Sequence, residues 1–130
     1  MDTSEEYIKM CDCEEIQKLW KEHHWGDFVA YSDESCAPHA LTSVKNSYHF
    51  RDYYIWLPRQ DQLQDIAINS ARYRVNINPR WLLHIDYENF CYGKFSINKS
   101  IDKFKSFEQL WLAFVMKEKY NKEWNGEKWI

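Results

Sequence analysis

The stretch FEQLWLAFVMKEKYNKEWNGEKW, residues 107–129, decides the fold. Ser106 stands three residues before Gln109, the spacing of a capping box, in which a hydroxyl accepts from an orphan amide and the later side chain bonds back. Phe107, Leu110, Trp111, Phe114 and Val115 then recur at helical spacing on one face. The spacing predicts an amphipathic helix that completes a core or docks a partner. Asn125-Gly126 follows, the favoured pair for a two-residue turn because both positions accept positive φ. Trp124 and Glu127 are therefore expected to face each other across a small hairpin, which folds Trp124 or Trp129 back onto the sheet or helix.

The upstream residues supply what this helix packs on. Thr3 with Glu6, and Asp12 with Glu15, have capping-box spacing. Ile16, Leu19 and Trp20 form an i, i+3, i+4 stripe, so a helix is expected over 12–24, with residues 3–11 extending it or forming a separate turn. Gly26 ends it. GDFVAYSD is β-prone through Phe28, Val29 and Tyr31. Residues 32–49 carry no period and many turn formers, which reads as a long loop, functional or concealing a short helix. DYYIWL reads as a strand stopped by Pro58, and Pro58 suits the first turn of a helix that buries Leu63, Ile66 and Ala67.

From Tyr73 the pattern alternates. Tyr73, Val75 and Ile77 would point inward from a half-buried strand, with Arg72, Arg74, Asn76 and Asn78 outward. Trp81, Leu83, Ile85 and Tyr87 alternate again with Leu82 as the misfit, so residues 79–90 read as strand, or as a helix capped by Asn78. Gly93 marks a turn and KFSINKSI, residues 94–101, one more short strand. The sum is a single α+β domain over residues 1–130: about three helices flanking a small, mainly antiparallel sheet.

Composition narrows the function. A chain of 130 residues is one ordinary domain and buries roughly two-thirds of its unfolded surface. Three glycines and three prolines leave no Gly-rich loop to cradle phosphates. Met1 is followed by DTSEEYIKM, neither basic nor apolar throughout, so the expectation is a cytoplasmic protein without signal peptide or membrane helix. The net charge of −3 is uneven: residues 1–44 hold three basic and ten acidic side chains, residues 45–105 ten and six, the rest four of each. All five arginines fall in the middle segment.

Metal binding draws on Cys11, Cys13, His23, His24, Cys36 and His39, enough donors for a zinc tetrahedron, with Cys11, Cys13, Cys36 and His39 as its candidates. Their C-x-C and C-x-x-H spacings are not those of zinc knuckles. Thiols in a cytosolic protein are expected to be reduced, and incidental cysteines are the simpler reading, so no cofactor is expected. For catalysis, Cys36 with His39 and Cys91 with His84 are the thiol–imidazole pairs available, and Asp86 with Glu88 would share a strand face. Solvated side chains explain each equally well. Nucleic-acid binding would use Arg72 and Arg74 with Tyr53, Tyr54, Tyr73 or Trp81 as stacking platforms, against a net negative charge.

Protein recognition or self-association is the favoured reading. Aromatic residues make 18% of the chain, and Trp, Tyr and Arg are what interfaces favour. Tyr53, Tyr54, Trp124, Trp129, Arg72 and Arg74 are the candidate contacts.

The segments IWLPRQDQLQDI at 55–66 and FEQLWLAFVMKEKYNKEWNGEKWI at 107–130 carry a resemblance. They are similar to segments of small uncharacterised proteins of bacterial prophages, in which W-L-P-x-Q-x-Q-L-Q precedes E-Q-L-W-L-A-F-V-M-x-E-K-Y and a W-x-G-E-x-W ending. The resemblance covers about a quarter of the chain and implies a phage-linked, cytosolic setting. It brings no activity with it.

Overall fold

Ser106 begins the helix that organises the rest, its Oγ accepting from the Gln109 amide at 3.1 Å. A computed structural model describes residues 1–34, 36–41, 53–75, 77–93 and 100–130. In chain order the elements are α1 (Glu5–Cys11), α2 (Glu14–Gln17), β1 (Phe28–Tyr31), β2 (His39–Ala40), β3 (Tyr54–Leu57), α3 (Gln60–Ile68), α4 (Ala71–Arg74), α5 (Pro79–Tyr92), α6 (Ser100–Lys103) and α7 (Phe107–Tyr120). The α+β class is as expected. Seven helices among the described residues replace the three anticipated, four of them one or two turns long.

α7 is not amphipathic in the expected way. Gln109, Leu110, Trp111, Leu112, Ala113, Phe114, Val115 and Met116 are all buried, more than two full turns covered on every side. A helix apolar all round is a core helix. It packs most extensively against α3 and also against α1 and α5, while α1 bridges it to β3. Phe107, assigned to the buried face, is 63% exposed because the covered zone starts only two residues further on. Asn121 ends the helix in the left-handed region, φ 52°, its amide donating to the Lys117 and Met116 carbonyls.

The sheet is antiparallel with order β2-β1-β3, Val29 facing Trp56 and His39. Its β3 edge is closed by a side chain. The Gln17 amide accepts from Trp56 N at 2.9 Å and donates to Trp56 O at 3.1 Å, so one glutamine imitates a neighbouring strand. Tyr7, fully buried, donates its hydroxyl to the Pro58 carbonyl just beyond.

Several expectations need correction. The helix expected over 12–24 shrinks to the four-residue α2, and residues 5–11 form the separate α1: Asp12 and Cys13 leave helical geometry between them, and Cys13, not Asp12, caps α2. The apolar stripe was still informative, since Ile16 and Trp20 are buried. Ser4 rather than Thr3 caps α1. Pro58 precedes the cap residue Arg59 instead of sitting in the first turn of α3. Of the strand expected over 72–78, positions 72–74 belong to the turn α4, which buries only Tyr73; Val75 and Ile77 are exposed, not inward, and Asn76 lies outside the described residues.

Residues 79–92 form helix α5 with Pro79 in its first turn, the alternative reading, because Leu82 and Leu83 both bury surface as strand alternation forbids. In the hairpin Trp124 faces Trp129, not Glu127: the Asn125 side chain accepts from the Glu127 and Lys128 amides and closes a longer turn. The loop over 32–49 contains β2, and its residues 35 and 42–49 lie outside the described residues, as do 94–99 of the strand expected at 94–101. The final two positions of that strand belong to α6.

Leu112→Ala and Phe114→Ala should each cost about 2–5 kcal/mol, and Phe107→Ala less than about 0.5 kcal/mol. Urea denaturation checks the contrast, and equal losses at 107 and 114 would refute it. Gln17→Ala should cost about 1–3 kcal/mol, since it strands the Trp56 amide and carbonyl at a part-buried edge.

Candidate functional site

The link from α4 into α5 exposes what the sequence pattern would have buried. Val75 is 88% exposed, Ile77 102% and Trp81 64%. The other exposed large apolar residues, among them Trp25, Tyr53, Tyr92 and Phe107, stand singly along the chain. Scattered apolar residues are ordinary on surfaces, whereas here three fall within seven positions of the chain. Two arginines, Arg74 and Arg80, flank them and form no ion pair among the described residues.

Arg72 is different. As helix positions two apart, Arg72 and Arg74 point about 200° from each other, not from one face as a strand would place them. Arg72 reaches across the surface to Asp86, Nε at 2.8 Å from Oδ2 and Nη2 at 3.2 Å from Oδ1. The buried Tyr73 hydroxyl donates to the same Oδ2 at 2.8 Å. Burial alone would raise the Asp86 carboxyl, but the bonds from Arg72 and Tyr73 outweigh it and hold the group below its ordinary value. This network fixes α4 against α5 and so sets the posture of the exposed link.

Beside the link, α3 and α5 enclose an open groove of about 310 Å³. Its floor is apolar: Ile68, Leu83, and the Tyr87 and Trp111 rings, stacked at 3.8 Å and 6°. Gln64 and Asp65 stand on the α3 wall, Arg80 and His84 on the α5 wall. Positions 80, 83, 84 and 87 share one helix face by their i, i+3, i+4, i+7 spacing.

A second feature, missed by the sequence reading, is Asp27, only 1% exposed. Its Oδ2 accepts from Trp20 Nε1 at 2.9 Å and the His24 amide at 3.0 Å, its Oδ1 from Gln62 Nε2 at 2.7 Å, and Arg59 Nη1 lies 3.6 Å from Oδ1. Three hydrogen bonds and a nearby guanidinium thus engage both oxygens, and the carboxylate ties β1, α3 and residues 20–24 together. The only sequence signal was an aspartate directly before a β-prone run.

The remaining candidates are dispersed. Tyr53 is exposed, and Tyr54 is half-buried with its ring 5.1 Å from that of Tyr31. Trp124 and Trp129 are half-buried and pack on each other at 5.1 Å, Trp129 donating Nε1 to the Met10 carbonyl at the end of α1. Cys11 is enclosed in the core, where burial pushes its thiol well up; burial likewise raises Cys13 to about 11. Cys36 is exposed and His39 stacks on Tyr31. Among the described residues no three His, Cys, Asp or Glu side chains gather as a metal site.

Cys91 and His84 sit two turns apart on α5, about 10 Å along the axis, beyond the reach of a thiol–imidazole pair. Asp86 and Glu88, expected on one strand face, diverge on the helix; Glu88 faces His84 at 3.9 Å. No helix among the described residues is long and apolar enough to cross a membrane. No protein-family model, curated protein or solved structure matches the chain.

Stability contributed by Asp86 is fully present above the ordinary carboxylate value, about pH 4, and is lost as pH falls through the lower folded value. Asp86→Asn should therefore cost about 1–2 kcal/mol at pH 7 and flatten the acid limb of the stability profile. Urea midpoints measured from pH 7 to pH 3 test both parts, and parallel profiles for the two proteins would rule the network out.

Proposed function

We propose that this chain is a non-enzymatic protein-recognition module, an accessory domain working in the phage-linked setting that its resemblance implies. The observation that carries the reading is the exposed run Val75, Ile77 and Trp81 with Arg74 and Arg80 beside it. A Trp and two Arg around aliphatic side chains is the composition of an interface hot spot. The sequence builds this surface against its own pattern: alternation that could have made a buried strand is spent on an open link instead. Large apolar side chains left exposed close together are where a partner is sought.

Catalysis finds weaker support. The Cys11 and Cys13 thiols are pushed up by burial, away from the thiolate a nucleophile needs. The Asp27 and Asp86 carboxylates are engaged by donors from neighbouring elements.

A double variant, Ile77→Ser with Trp81→Ser, alters exposed positions and should leave stability within about 0.5 kcal/mol per site. Immobilised wild-type and variant protein exposed to the same cell lysate should differ in at least one retained protein, depleted on the variant by roughly tenfold or more. Identical retention by both, or retention of nothing by either, contradicts the proposal.

A further inference from the structure

The groove between α3 and α5 begins where the exposed link ends, because Arg80 lines one and adjoins Trp81 of the other. We infer that the partner lays an acidic, amphipathic helical segment along this groove, with an apolar side chain over Trp111 and its carboxylates toward Arg80 and His84. The inference rests on the protein-recognition reading and names the partner's chemistry.

Three observations select this occupant. First, the groove is a trough between two helices with an apolar floor, the form in which an amphipathic helix is commonly held through anchors at i, i+3, i+4 and i+7. At about 310 Å³ it takes anchoring side chains and leaves the backbone of the guest outside. Second, the walls differ in character: Arg80 on α5 stands across from Asp65 and Gln64 on α3, with His84, 3.9 Å from Glu88, as a further polar group on the α5 side. A guest helix with acids on one flank and a polar or basic other flank matches both walls in one orientation only. Third, Arg74 and Arg80 form no ion pair among the described residues, although Arg72 beside them does.

Other occupants fit less well. A second copy meeting this one through a two-fold axis would bring the Arg74 and Arg80 of both copies into one interface and concentrate positive charge there, since such contacts use the same patch on each copy. A nucleic-acid backbone would require several cations together, and the Asp65 wall and apolar floor oppose it.

The test uses phage-displayed peptides about 20 residues long, apolar at i, i+3, i+4 and i+7 and randomised between acidic and basic residues elsewhere. Selection on the full chain should enrich acid-rich over base-rich sequences by roughly tenfold or more, and Arg80→Glu combined with His84→Glu should reverse that preference. A merely structural role for the two residues would abolish binding without reversing its sign. If the enriched peptides depend on Ile77 and Trp81 but ignore the Arg80→Glu, His84→Glu variant, the groove assignment fails and the recognition reading survives. Absence of enrichment, base-rich enrichment on the wild type, or Arg80-dependent retention of duplex DNA or anionic vesicles without peptide binding overturns the inference.

Discussion

The structure depends on the complete enclosure of α7 from Gln109 to Met116. An ordinary surface helix buries one stripe and leaves the rest to water, so its neighbours lie on one side. Here α1, α3 and α5 all pack on α7, and the short sheet is joined to it through α1. Dispersion and hydrophobic burial are strongest where every side of an element is covered. The single polar member, Gln109, is accommodated because its side chain reaches the ends of other segments: Nε2 donates to Asp2 Oδ2 at 2.9 Å and Oε1 accepts from the Lys105 amide at 3.1 Å.

Around that helix, three aspartates hold the periphery in register, each by bonding donors from elsewhere in the fold. Asp2 binds Ser106 and Gln109 and draws the first residues of the chain to the start of α7. Asp27 gathers Trp20, His24 and Gln62; Asp86 gathers Arg72 and Tyr73. Charge-assisted bonds of this kind are directional where hydrophobic contacts are not, so they fix which way short elements lie. That division matters in a domain whose α2, α4 and α6 are each four residues long and too short to persist alone.

The major elements were legible where one signal dominated. Ser106 and the dense apolar run after it announced α7, and Phe28–Tyr31, Tyr54–Leu57 and Gln60–Ile68 fall where β-prone and helical patterns placed them. The misreadings have a common physical origin. Residues 72–78 alternate as a strand would, but the Asn78-Pro79 junction opens a helix and the Arg72–Asp86 bond holds the preceding turn, so tertiary partners overrode the local period. Gln109 and Ala113 gave no sign of all-round burial, because a polar or small residue on a helix reads as surface until its neighbours are known. The candidate surface was half visible: Arg74 was singled out and Trp81 was one of the stacking platforms considered, whereas Val75 and Ile77 looked like core. The Asp27 hub was invisible, since its donors come from residues 20, 24 and 62.

A domain with so enclosed a centre and so exposed a corner should show its two parts separately in native-state hydrogen exchange. The account predicts that amides of residues 110–116 exchange only through global unfolding, with opening free energies equal to the stability from urea denaturation, while those at 75, 77 and 81 exchange through small local openings. Exchange of the 110–116 amides well below the global value, or protection at 75–81 equal to theirs, would contradict it.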